Sequence, residues 1–171
     1  MEFTFEIHYN TKTMAVMARA LRKTVRQKHS RRSHLFGWIV TAMAVLLMTS
    51  DGFELHLRSV VTLGVIFMIV MALLFEDQIN GYVAKKRMLP GMEKAVSVFT
   101  QEGFTSTTGV GKTEWNYDRI LLVAETKEFF VFIFSHSHAQ LYDKSALAGG
   151  TAEDFRAFLE GVTGKKVRMV K

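Results

Sequence analysis

The sequence predicts an α+β membrane protein, in which a two-helix transmembrane hairpin precedes an antiparallel β-barrel or sandwich and a C-terminal helix. Three observations predict it. Two blocks, Leu35–Ser50 and Ser59–Phe75, contain no charged residue. From Ala95 onwards, short β-rich runs alternate with turn residues. The net charge of +6 is confined to the start of the chain. Residues 1–34 hold eight Lys/Arg against two Asp/Glu, and the remainder balances at fourteen of each. The 171 residues suit about one domain with a modest extra element.

The opening MEFTFEIHYN has acidic residues and no leading basic segment, so no signal peptide is expected. Phe3, Phe5, Ile7 and Tyr9 alternate with Thr4, Glu6 and His8, the period of a half-buried strand. Over Thr13–His29, Met14, Met17, Leu21 and Val25 recur at spacings of three and four. That stripe predicts an amphipathic helix with a basic opposite face, capped by Asn10 or Thr11 and feeding almost directly into the first apolar block.

As helices the two apolar blocks reach roughly 24 and 26 Å at about 1.5 Å per residue. A bilayer core is about 30 Å thick, so both are short; local thinning and Phe53, Leu55 and Leu57 in the connection make up the rest. A buried helical hairpin in a soluble protein is the alternative. Both blocks are apolar all round rather than on one stripe, which favours lipid. Arg19, Arg22, Lys23, Arg26, Lys28, Arg31 and Arg32 precede the first span, and Lys85, Lys86 and Arg87 follow the second. The connection 51–58 offers only Arg58. The excess of positive charge therefore places both termini in the cytoplasm and the connection outside. Trp38 suits an interfacial anchor at the inner end. The second helix is expected to continue through EDQINGYVAKKR until Pro90-Gly91 stops it.

The β region reads as AVSVF (95–99), FTSTT (104–108), TEWNY (113–117), RILLVAE (119–125), EFFVFIF (128–134) and HAQLYD (138–143). Strands this closely spaced predict a meander closing into a sandwich or small barrel. Thr151 then caps a last helix with Glu153 and Asp154 in its first turn and Phe155, Phe158, Leu159 and Val162 on its buried stripe. Gly164 ends it. The organisation is thus 1–34, an N-terminal strand and basic helix; 35–75, the hairpin with spans 35–50 and 59–75; and 76–171, a cytoplasmic helix extension, β domain and final helix.

Gly111-Lys112-Thr113 imitates the end of a phosphate-binding loop. The pattern needs its first Gly at position 106, which is Ser106, and a buried strand before and a helix after. Here both neighbours read as strands, so the stretch is a hairpin turn with Gly109 and Gly111 at its positive-φ positions, and no nucleotide is expected. His136 and His138 share a face at i, i+2 but fall at a turn with no third ligand at a motif spacing. They read as exposed turn residues, and His29 and His34 as solvated interface residues. Asp118-Arg119 reads as a turn or surface pair. The ten methionines read as core or lipid-facing filler rather than copper ligands. With no cysteine, disulfides, Cys-ligated zinc and thiol catalysis are excluded. No nucleophile elbow, H-E-x-x-H motif or role-splitting carboxylate pair is present. No catalytic residue, metal or cofactor is therefore assigned.

The basic residues form the one constellation with a direct physical consequence. Arg22, Lys23, Arg26, Lys28, Arg31, Arg32, Lys85, Lys86 and Arg87 are expected at the cytoplasmic leaflet, where each gains about 1 kcal/mol from anionic lipid. The same charges set topology, with non-specific lipid contact favoured over a specific headgroup site.

Three segments, FEIHYNTKTM, TEWNYDRILLVAETKEFFVFIF and AQLYDKSALAGGTAEDFRAFLEGV, give the chain a resemblance to the YcxB-like family of bacterial membrane proteins. Tyr117 and Ile120 fall in the family's marked places before its valine-rich and aromatic strands. Glu153, Phe155, Arg156, Phe158 and Leu159 match its E-x-F-R-x-F-L helix, with Asp143 where a Pro often precedes Lys144. The resemblance implies a cytoplasmic domain similar to a pleckstrin-homology (PH)-like barrel, split in sequence, with Phe3–Tyr9 joining the sheet from across the hairpin and the last helix plugging one end. It implies packing patterns and no assigned activity.

The expected protein is a multi-pass protein of the bacterial inner membrane, with the lipid bilayer as its constant partner. It acts as a non-catalytic binding or adaptor protein that recognises a protein partner, a second copy or the anionic membrane surface, without nucleic acid. Candidate surfaces are the basic patch and the loops 109–112 and 135–138. A membrane-bound immunity or envelope-stress protein that neutralises another protein is the alternative; an enzyme is not expected.

Overall fold

The computed structural model describes residues 2–50 and 57–170, so most of the connection 51–58 assigned to an external turn lies outside the described residues. Strand β1 (Phe3–His8) buries Phe3, Phe5 and Ile7 on one face, as its alternation predicts. Asn10 caps helix α1 (Thr11–Lys23): its Oδ1 accepts from the Thr13 N–H at 3.0 Å, and Thr13 Oγ1 accepts from the Asn10 N–H at 2.8 Å.

The amphipathic helix ends earlier than expected. At Thr24 the hydroxyl donates to the Ala20 carbonyl at 2.6 Å, and the Arg26 N–H reaches back five residues to the Leu21 carbonyl at 2.9 Å. A Thr side chain that competes for helix carbonyls disturbs the regular ladder, and the chain breaks over 24–26. Helix α2 (Gln27–Ser50) starts immediately after. Lys28, Arg31 and Arg32 therefore belong to the first turns of the long apolar helix, a correction to the boundary at 35.

Helices α3 (Leu57–Leu74) and α4 (Glu76–Lys86) are separated only by Phe75. The Phe75 N–H still bonds the Met71 carbonyl, and the Ile79 N–H the Phe75 carbonyl, both at 2.9 Å, so the ladder passes through the interruption. Two helices, over Gln27–Thr49 and Leu57–Leu74, are long and apolar enough to cross a membrane. Their side chains are exposed, Leu46 at 69% and Phe67 at 64%, which is the reverse of a hairpin buried inside a soluble domain. The pair packs closely where Gly37 meets Leu73: a Cβ on Gly37 would lie 2.9 Å from a Leu73 methyl.

The remaining strands are β2 (Lys94–Phe99), β3 (Phe104–Thr108), β4 (Gly111–Trp115), β5 (Leu122–Glu125), β6 (Phe129–Ile133), β7 (Ala139–Asp143), β8 (Leu147–Ala148) and, after helix α5 (Ala152–Thr163), β9 (Arg168–Met169). They form two sheets, β4-β3-β2-β1-β8 and β7-β6-β5-β9. β1 pairs antiparallel with β2, Phe3 opposite Phe99 and Ile7 opposite Ala95, and with β8 on its other side. The first strand thus enters the sheet across the helical hairpin, and the β domain is split in sequence. The sheets do not close into a barrel. Pairing is antiparallel except between β5 and the short β9. The expected strand 113–117 stops at Trp115, because Asn116 Oδ1 accepts from the Asp118 N–H at 3.0 Å and starts a 3-10 turn over Tyr117–Arg119; β5 begins at Leu122 in consequence. At the β3–β4 hairpin, Gly111 has φ 158. Gly109 does not have a positive φ; it is needed because a Cβ there would lie 2.8 Å from the Gly91 carbonyl oxygen.

Two cores lie on the two faces of the second sheet. Between the sheets, Phe3, Phe5, Phe99, Phe132 and Tyr142 meet Phe155 and Leu159 of α5. On the outer face, Phe129, Val131, Ile133 and Leu141 meet Met14, Met17, Ala20 and Leu21 of α1. Every residue of β6 is consequently buried, which is why FFVFI is apolar on both faces. Helix α5 carries a capping box between Thr151 and Asp154 and ends at Gly164 in the left-handed region, φ 64.

Candidate functional site

Helices α1, α2 and α4 meet at a cluster of opposite charges. Asp77, only 5% exposed, accepts two hydrogen bonds from Arg22, Nε at 2.7 Å and an Nη at 2.6 Å. Arg19 Nε adds a third at 3.3 Å. Burial alone would raise the Asp77 pKa, but the Arg22 and Arg19 hydrogen bonds outweigh it and hold the carboxyl below its usual range. Glu76 accepts from His34 Nε2 at 2.7 Å and lies 3.7 Å from Arg22. Helix α4 approaches α1 so closely that a Cβ on Gly81 would lie 2.5 Å from the Ala15 backbone nitrogen. The extension of the second apolar helix is thereby clamped to the helix that covers the β domain.

This cluster divides the nine basic residues expected at the lipid surface. Arg22 turns inward onto Asp77, and its own pKa is raised by that bond. Arg26 is exposed but donates from Nε to the His136 carbonyl at 2.5 Å, tying the α1–α2 break to the loop 135–138. Lys85 lies near Met88 and Glu93. Lys23, Lys28, Arg31, Arg32, Lys86 and Arg87 are exposed. The acidic partners were missed at the level of sequence. The available signal was Glu76-Asp77 directly after an apolar block, where an unpaired charge is costly.

The two candidate loops open onto one cleft. It has a volume near 520 Å³ and lies among α1, the 88–92 connection and the terminal strands β4 and β7 of the two sheets. Met14, Met17, Met88 and Met92 form its apolar wall, and Trp115 and His138 line it as well. His138 lies on the Trp115 ring at 5.8 Å and 22°, and partial burial lowers its pKa. The floor is made of small residues of the first sheet, Ala95, Ser106 and Thr113; their size leaves the space between the unclosed sheets empty here, whereas Phe99 and Phe104 fill it deeper in. A second cleft of about 410 Å³ runs between α1 and α4, sharing Met14, Met17, His138 and Ala139 with the first and also lined by Leu21, Arg26, Val83 and Arg87.

On the opposite side, Glu125 of β5 is fully buried and bound by Arg156 of α5 through two 2.7 Å hydrogen bonds and by Lys144 at 2.5 Å. Burial by itself would raise its pKa, and the Arg156 and Lys144 bonds outweigh that and lower it. The arrangement fastens α5 over the mouth of the inner core and is structural. His136 is exposed, whereas His138 lines the cleft against Trp115, and no group of three or more potential metal ligands occurs among the described residues.

These features define a class of protein: a two-sheet α+β domain, split in sequence by a pair of membrane-length apolar helices. Residues 99–159 match the model of the family described as YcxB-like protein, and over this segment the chain is similar to that family. The matched segment runs from the end of β2 to Leu159 and contains Glu125 together with Lys144 and Arg156, the two cations that close on it. No curated protein matches the chain.

Proposed function

We propose that the protein is a membrane-anchored, non-catalytic binding module of the bacterial inner membrane, with both termini and a PH-like β domain in the cytoplasm. The observation that carries this reading is the pair of apolar helices with exposed side chains, bounded at their inner ends by cations and absent from any protein core. Lys28, Arg31, Arg32, Lys86 and Arg87 are the residues offered to anionic headgroups, and Arg22 is better read as an internal strut. The cleft between β4 and β7 is the recognition surface: apolar, polar-rimmed and of the size of small-molecule sites, which run to roughly 300–1,000 Å³.

The test is alkaline carbonate extraction of membranes from cells that express the full chain. Retention in the membrane pellet supports the anchor. Release into the supernatant would overturn it, together with the lipid-facing role of the basic residues.

A further inference from the structure

The free edge of the first sheet runs beside the methionine cleft. β4 is the terminal strand of that sheet, and Gly111, Lys112, Thr113 and Glu114 are all exposed. The Thr100 N–H donates to the Gly103 carbonyl at 2.9 Å and closes the β2–β3 hairpin. Hydrogen-bonded and non-bonded pairs then alternate along β3, so Phe104, Ser106 and Thr108 are the residues that bond to β4. Their partners are Trp115, Thr113 and Gly111. The N–H and C=O groups of Lys112 and Glu114 therefore point away from the sheet, unpaired by any strand. Their side chains stand on the outer face, 57% and 77% exposed, while Thr113 and Trp115 line the cleft. Where a Cβ on Gly111 would stand, nothing lies within 4 Å.

An open edge of this kind is a template for a further strand. Lysines alone would repel basic partners without choosing among the others; Lys112 and Glu114 differ in sign and so select an order of charges. We propose that this edge pairs antiparallel with an extended segment of a cytoplasmic protein that reads, from its N-terminal side, basic, apolar, acidic, apolar. The basic residue lies opposite Glu114 and the acidic one opposite Lys112, each exchanging both backbone bonds. The first apolar side chain, opposite Thr113, enters the cleft, whose methionines adapt to varied shapes. The second fills the open space beside Gly111. The surface pair that Lys112 and Glu114 make with each other at 3.5 Å is too exposed to compete. The inference deepens the reading of this cleft as the recognition surface and rests on it.

The chain's own Lys112-Thr113-Glu114-Trp115 comes close to the required order, yet a second copy is not the occupant. β4 starts at the end of α4, where the Gly109 N–H donates to the Gly91 carbonyl at 2.9 Å. It ends against His138, two residues from the His136 carbonyl that Arg26 holds beside the start of α2. The strand thus climbs towards the apolar hairpin, and two antiparallel copies of it would leave one anchor inverted.

The experiment measures the anisotropy of two fluorescein-labelled peptides, Ser-Lys-Leu-Glu-Phe-Ser and its charge-exchanged form Ser-Glu-Leu-Lys-Phe-Ser. Each is titrated with the full chain in phosphatidylcholine nanodiscs. The first should bind saturably and about tenfold more tightly, since two cross-strand pairs change from attraction to repulsion in the other. Lys112→Glu combined with Glu114→Lys should reverse that preference, and both side chains are exposed enough for the exchange to leave the fold intact. An N-methyl group on the peptide's Glu, whose amide faces β4, should abolish binding, whereas on its Leu it should be tolerated. Equal binding of the two peptides, binding of neither, or a preference that survives the exchange would overturn the proposal. The anchored placement is read separately with Thr113→Cys, the position on the two-fold of a self-paired β4. A disulfide-linked dimer in oxidised membranes would give the edge to a second copy and contradict that placement as well. Failure of peptide binding without such a dimer refutes the peptide alone.

Discussion

Asp77 and Arg22, 55 positions apart in the chain, form a two-point ion pair at 2.7 and 2.6 Å that joins the end of the second apolar helix to the helix covering the β domain. Such a pair fixes orientation more than it adds stability, because both charges had to leave water; removing one partner exposes that cost. In this protein it sits where movement of the hairpin would be passed to the domain.

Asp77→Ala should lower stability by about 2 kcal/mol, less than the roughly 3–5 of a fully enclosed pair, because the Arg22 side chain is 26% exposed and can rehydrate. Arg19→Ala should cost under about 1 kcal/mol, since that side chain is 48% exposed. Thermal unfolding of both variants in the same detergent checks the ordering.

Gly81→Val tests the helix contact independently of charge. Its Cβ would be driven into the Ala15 backbone, which has no flexible end to yield, so a loss of about 1–3 kcal/mol is expected. Limited proteolysis should show new cleavage at the 24–26 break or within 87–93 as α4 is levered off α1.

Acid should destabilise the protein through Asp77 and Glu125. Both carboxyls are held below their ordinary values of 3.8 and 4.5 in the folded state. A depressed folded pKa gives a contribution that is complete above the unfolded pKa and is lost as pH falls through the folded one. The unfolding midpoint should therefore stay level from neutral pH to about 5 and fall below about 4.5. Glu125→Gln should flatten part of that fall while lowering stability at pH 7, because Arg156 and Lys144 lose their charged partner.

Charge removal at the surface should separate from charge removal inside. Arg31→Gln with Arg32→Gln should weaken attraction to anionic lipid by about 1 kcal/mol per residue and leave the unfolding midpoint unchanged. Arg22→Gln should lower the midpoint. Comparing vesicles of phosphatidylglycerol with those of phosphatidylcholine, together with a melting curve for each variant, distinguishes the two classes.

Much of the fold was legible because local chemistry and tertiary environment agree. The alternation in Phe3–His8, the Asn10 and Thr151 caps, the strand Phe104–Thr108 and the Gly164 stop each rest on a signal that tertiary packing leaves intact. The break at 24–26 was not, because a stripe at helical spacing through Val25 masks a Thr whose hydroxyl turns back on the helix. The strands Leu147–Ala148 and Arg168–Met169 are too short for a period to register. The basic run was legible as charge but not as geometry: nothing local tells Arg22, which faces Asp77, from Arg31, which is exposed. The cleft was legible only as its two loops, since its methionines come from helices and connections that the hairpin separates in sequence.

The most direct test of the account uses the absence of cysteine from the chain. Single cysteines introduced as Glu54→Cys in the connection and Lys127→Cys at the exposed β5–β6 turn are treated with a membrane-impermeant maleimide in cells whose cytoplasmic membrane is intact. Labelling at 54, with none at 127 until the membrane is opened, is the predicted result. Equal labelling of both sites, or labelling of 127 before 54, would contradict a hairpin that crosses the membrane twice with its β domain inside.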